Sequence, residues 1–176
     1  MSFLDRRTQN EVVTQFYRLR ILYETEMVTN DNNFKNPFYI SVLIEKLIIL
    51  NDLLQKISPS IRVSFMDAIP QLEVYMEKGN NYADITDLIR FFRNAVCHID
   101  NNRRDYNSSG GTVSFGMSVG KSYFLNDIYS EYEDDACIIM GIHNLYIKRH
   151  LVRVYEELKK SYLDVPEFTL LRHILT

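Results

Sequence analysis

Ile85-Thr86-Asp87-Leu88-Ile89-Arg90-Phe91-Phe92-Arg93-Asn94-Ala95-Val96-Cys97-His98 is the stretch from which the rest of the chain is read. Ile85, Leu88, Ile89, Phe92 and Val96 recur at three- and four-residue steps, the spacing that lays an apolar stripe along one face of an α-helix. Asp84 stands where a cap is wanted, because its short carboxylate can accept N–H groups that the first helical turn leaves unpaired. The polar run from Asp100 to Ser109 ends the pattern.

Working upstream, Val12, Phe16, Leu19, Tyr23 and Met27 predict an amphipathic helix from about Asp5 to Met27, broken by Asn30-Asp31-Asn32-Asn33. After Pro37 a second helix is expected to about Ile57, with Ile40, Leu43, Ile44, Leu47, Leu50 and Leu54 on one face and Ser58-Pro59-Ser60 as its stop. Ile61 to Ile69 reads as a shorter helix. Pro70 opens another turn or two through Met76, and Gly79-Asn80-Asn81 leads into the central helix.

Downstream, Asn101 to Gly111 reads as a loop, and Thr112 to Val119 alternates like a strand. Ala136 to Met140 is either a second strand or the extension of the next helix. Leu145, Leu151, Val154, Tyr155, Leu158 and Tyr162 predict a helix from about Asn144 to Leu163, ended by Pro166, with the tail from Glu167 docked as a final turn. Together these expectations describe an all-α helical bundle over residues 1–176, one domain, with a small β-hairpin inserted at about 111–140.

Composition narrows the function. Of 176 residues 46% are hydrophobic and 24% charged, ordinary for a globular protein, and the net charge of −3 excludes a protein that coats nucleic acid through a global basic field. Cys97 and Cys137 are too few for a disulfide framework and read as buried, reduced thiols, which suits the cytoplasm. Met1 to Arg7 has no signal-peptide core, and the apolar run Phe38 to Leu54 is interrupted by Glu45, Lys46, Asn51 and Asp52, so no membrane partner is expected.

The central helix also carries chemistry. Arg93 brings a planar, permanently charged fork that matches a phosphate, and His98 can take and give a proton near neutral pH. Five residues rotate two side chains about 140° apart on a helix, so one copy is a poor site and two facing copies a better one. Arg90, Arg103 and Arg104 lie close in sequence and could form a local basic cleft. Lys148, Arg149, His150 and Arg153 form a second basic face, which adds Arg149 and Arg153 as candidate RNA contacts.

Two other patterns carry less. Gly116 to Ser122 looks like a phosphate-binding loop but has three residues between its glycines where four are needed, so Gly116 and Gly120 read as strand bends or a turn. His143 and His150, with Asp134 and Asp135 upstream, could share a face if the following helix starts early, yet they lack the close ligand pairs of zinc sites. No metal and no cofactor are expected.

Between about Tyr82 and Asp100, and most of all from Thr86 to His98, the chain resembles the signature of the HEPN superfamily: an Arg, four to six residues, then His, often with a polar residue after the Arg. The resemblance implies a small all-α homodimer acting as a metal-independent endoribonuclease, such as a toxin or phage-defence effector. It assigns Arg93 to the scissile phosphate, His98 to general acid or base work, and Asn94 to orientation. The products would carry 2′,3′-cyclic phosphate and 5′-hydroxyl ends. Expected partners are RNA, a second copy, and an antitoxin or regulatory protein. The toxin subgroup paired with nucleotidyltransferase antitoxins has a Tyr two residues after the His, where this chain has Asp100. The alternative is a catalytically silent dimeric module of the same kind that binds a protein or nucleotide.

Overall fold

The computed structural model describes residues 5–24, 37–57, 60–65, 82–97, 116–124, 127–140, 143–168, 171 and 173. Helix α1 spans Arg6–Glu24 and α2 spans Pro37–Lys56. Asp5 caps α1 by accepting the Thr8 N–H at 2.9 Å. The two helices run antiparallel, bridged on their surface by the ion pairs Glu11–Lys56 and Arg18–Glu45. The central helix, α3, spans Ile85–Cys97 and packs on α2. Its cap is the expected one: Asp84 Oδ1 accepts the Asp87 N–H at 2.9 Å.

Residues 61–65, expected as helix, form no regular secondary structure where they are described. The reason lies in where their backbone hydrogen bonds go. Ile85 N–H donates to the Val63 carbonyl (2.9 Å), Val63 N–H donates to Thr86 Oγ1 (3.0 Å), and that hydroxyl donates to the Ile61 carbonyl (3.3 Å). This segment is tied across the start of α3. Arg62 reinforces the tie with Nε on Asp84 at 2.7 Å and both terminal nitrogens on Asp87 at 2.9 and 2.6 Å. The expected turns from Pro70 to Met76 and the loop from Asn101 to Gly111 lie outside the described residues.

The second half departs from the all-α expectation. Strands β1 (Gly116–Val119), β4 (Ala136–Met140) and β5 (His143–Tyr146) form an antiparallel sheet in the order β1-β4-β5, and β2 (Ser122–Phe124) pairs with β3 (Asp127–Ser130) as a separate ribbon. The fold is therefore mixed, helix-dominated with a built-in sheet, and not a helical bundle carrying a hairpin. Ala136, Ile138, Met140 and Leu145 belong to the same core as Leu50, Leu88, Ile89 and Phe92, whereas Cys137, Ile139 and Tyr146 pack with Tyr132 on the other face. A sheet covered on both faces is part of the core.

The helix expected from Asn144 starts late for the same reason. His143 to Tyr146 pair with β4 in the register Met140↔His143 to Cys137↔Tyr146. The chain then enters a π-helical turn, Ile147–Val152, before helix α4, Arg153–Leu163, and a short 3-10 turn at Pro166–Phe168. Tyr162 joins the layers: its Oη donates to the Leu53 carbonyl at 2.7 Å, and its ring meets Phe16 and Phe168 edge-on. Gly120 supplies the β1–β2 turn with φ of +73°, while Gly116 is an ordinary strand residue. Among the described residues no helix is long and apolar enough to cross a membrane.

Candidate functional site

Arg93 and Asn94 occupy the last full turn of α3, both half-buried, between the fully buried Phe92 and Ala95. Arg93 Nη1 donates to Asn94 Oδ1 at 3.1 Å, so the amide steadies one arm of the guanidinium. Arg93 Nε is buried and has no hydrogen-bond partner among the described residues. No carboxylate among them pairs with it either. The contrast with other arginines is sharp: Arg18, Arg20, Arg62, Arg90 and Arg149 all lie within ion-pair range of an Asp or Glu. A half-buried guanidinium with unused donors suits an anion supplied from outside the described fold.

The remaining sequence candidates separate. His98, Arg103 and Arg104 lie outside the described residues. Arg90 is exposed, 3.9 Å from Asp87 on its own helix. Cys97, expected to be buried, is exposed at the end of α3, because α3 turns its buried face through Phe92 and Ala95 and not through position 97. Cys137 is buried, and burial pushes its thiol up to about 11, which makes it a poor nucleophile.

Arg149 and Arg153 line a cleft of about 530 Å³ together with Phe65, Tyr132, His150 and Ile85, the first residue of α3. Arg93 lies eight residues further along that helix, about 12 Å away along its axis, so within one chain the cleft and the motif are separate places. The cleft owes its shape to Asp135. This buried carboxylate accepts the N–H groups of Ala136 (2.8 Å), Lys148 (2.9 Å) and Arg149 (3.0 Å), which pins the start of the π-helical turn to the sheet. Arg149 is already engaged, pairing with Asp134 at 2.9 Å and Asp135 at 3.3 Å and lying 3.8 Å over the Tyr132 ring. Arg153 has no such partner among the described residues.

His150 cannot share a helix face with His143, which sits in β5. Its Nδ1 accepts the Tyr146 N–H at 3.1 Å, leaving any single proton on Nε2. Burial, with help from Arg153 and Arg149, pulls the imidazole down to about 3, so it stays neutral. Among the described residues no three His, Cys, Asp or Glu side chains converge on a position that could hold a metal ion.

Sequence reasoning missed one buried charge. Lys46 is fully buried in α2, its Nζ 3.6 Å from the Tyr23 ring centroid and without a hydrogen-bond partner among the described residues. Desolvation draws its amine down to about 7. The signal was present: Lys46 stands three residues after Leu43 and four before Leu50, on the buried stripe itself. Compared with family models, with curated proteins and with solved structures, the chain finds no match.

Proposed function

We propose that the chain is a metal-independent endoribonuclease that works as a homodimer in the cytoplasm, with Arg93, Asn94 and His98 as its catalytic set. The observation that carries this reading is Arg93, half-buried beside Asn94 with its Nε unpaired among the described residues. A phosphodiester would complete that hydrogen-bond set. The guanidinium would bind a nonbridging oxygen and hold the charge that grows on the phosphorane.

In the reaction, one His98 removes the proton of a ribose 2′-hydroxyl. The freed oxygen bonds to the adjacent phosphorus, and the bond from phosphorus to the 5′ oxygen breaks. A second His98, from the partner subunit, returns a proton to that leaving oxygen. The products are a 2′,3′-cyclic phosphate and a 5′-hydroxyl. Only RNA supplies this internal nucleophile, so the chemistry selects RNA over DNA without a metal.

The test is cleavage of end-labelled RNA in EDTA by wild type, His98→Ala and Arg93→Ala. Each substitution is expected to slow cleavage by about a hundredfold or more, on the order of 3 kcal/mol of transition-state stabilisation, with folding and dimerisation retained. Activity lost to chelation and restored by one divalent ion refutes the chemistry. Light scattering that finds only a 20.8 kDa monomer refutes the shared site. Wild-type protein that binds but never cleaves RNA points instead to the catalytically silent module.

A further inference from the structure

The cleft at the start of α4 has no role in that reaction, yet its walls are chemically particular. Phe65 and Ile85 close one side with apolar surface, and the ring of Phe65 meets His150 edge-on at 5.7 Å. Tyr132 stacked under Arg149 adds a flat surface on which a planar ring can lie. Arg153 brings a guanidinium with no ion pair among the described residues, and His150 brings a neutral N–H. Glu156, half-exposed at the cleft, pairs through Oε2 with Lys159 at 2.7 Å, and its other carboxylate oxygen can accept from hydroxyl groups. Its volume of about 530 Å³ falls in the range of small-molecule sites, about 300 to 1,000 Å³.

We propose that this cleft binds a nucleoside monophosphate, with the base on the flat surface formed by Phe65 and the Tyr132–Arg149 pair and the phosphate on Arg153 and His150. An isolated phosphate would leave the aromatic walls unused. A neutral aromatic compound would leave Arg153 unpaired. A mononucleotide uses both, and its ribose diol reaches toward Glu156. Arg149, in the π-helical turn, and Arg153, the first residue of α4, are four residues apart and both line the cleft. The assignment stands apart from the ribonuclease reading, because it concerns other residues at the other end of α3.

Calorimetric titration of the full chain carrying His98→Ala separates the two ideas, because cleavage cannot contribute to the signal. The probes are AMP, GMP, CMP and UMP, with adenosine, inorganic phosphate and a short single-stranded RNA beside them. At least one monophosphate is expected to bind at one site per chain, at least tenfold tighter than adenosine or phosphate alone. Arg153→Ala should weaken that binding tenfold or more, and Arg153→Gln provides a second reading if the alanine variant folds poorly. The proposal is overturned if no monophosphate binds, if Arg153 variants bind as wild type, if phosphate alone binds equally well, or if only the RNA strand binds. None of these outcomes bears on cleavage by the Arg93 motif.

Discussion

Replacing Lys46 by methionine should make this protein more stable, and the gain should fade as the pH rises. In the fold the amine is fully buried over the Tyr23 ring, with no hydrogen-bond partner among the described residues. Its folded value of about 7 lies below the ordinary 10.5, because burial penalises the charged form. Below pH 7 both folded and unfolded chains carry the proton, and the folded state bears the whole desolvation cost. At about 1.4 kcal/mol per pH unit, the gap between 10.5 and 7 amounts to roughly 5 kcal/mol. Lys46→Met, which keeps an unbranched chain of similar length, is therefore expected to gain up to about 5 kcal/mol at pH 6. Between pH 7 and 10.5 the unfolded chain binds more protons than the folded one, so wild-type stability climbs with pH and the advantage of methionine shrinks. Urea unfolding followed by circular dichroism at pH 6 and pH 9.5 measures both values. A variant less stable than wild type at pH 6, or an equal difference at the two pH values, would refute the reasoning.

Other outcomes follow from local geometry. Asp84→Ala should cost about 1 to 2 kcal/mol in urea unfolding by uncapping α3, whereas Asp84→Asn should lose less because an amide oxygen can still accept the Asp87 N–H. Gly120→Ala should lower the melting temperature, since φ of +73° costs an L-residue about 1 kcal/mol and the added Cβ would sit 3.4 Å from the Glu133 carbonyl oxygen. Thiol titration of native protein should label Cys97 quickly and Cys137 only after unfolding, because the first is exposed and the second buried with its thiol raised to about 11.

The helices legible in the sequence were those with one wet face. α1, α2 and α3 alternate apolar and polar positions at helical spacing, and Asp84 announces the start of α3. β4 could be read as a short apolar run, though not told from helix, since a strand covered on both faces loses its period of two. β5 was hidden more deeply. All four of its residues are buried and run straight into the π-helical turn, so Leu145 extends the spacing of Leu151 and Val154 without a break. Residues 61–65 are held by hydrogen bonds to Thr86 and Ile85, partners more than twenty positions away that no local pattern encodes. For the site, Arg93 and Asn94 were named by their string. The cleft was half visible, because Arg149, His150 and Arg153 share one stretch, whereas Phe65, Ile85 and Tyr132 reach it only through the fold.

The junction at Tyr146 and Ile147, where a strand becomes a helix with no connecting residue, sets where this chain can change length. One residue inserted there would rotate everything after it by about 100° and carry Arg149 and Arg153 off the cleft. One residue inserted within β5 would exchange the faces occupied by Leu145 and Tyr146, putting the phenol into the helical core and the leucine beside Tyr132. Asp135 adds its own constraint, since its carboxylate must meet the N–H groups of Lys148 and Arg149. The turn around Gly120 is tied to the same segment, its N–H donating to the Asp135 carbonyl at 2.9 Å. Length variation among descendants of this chain is expected to collect around the β2–β3 ribbon and to be absent from Asp135 to Arg153, and a library of single-residue insertions scored for soluble expression would map that boundary.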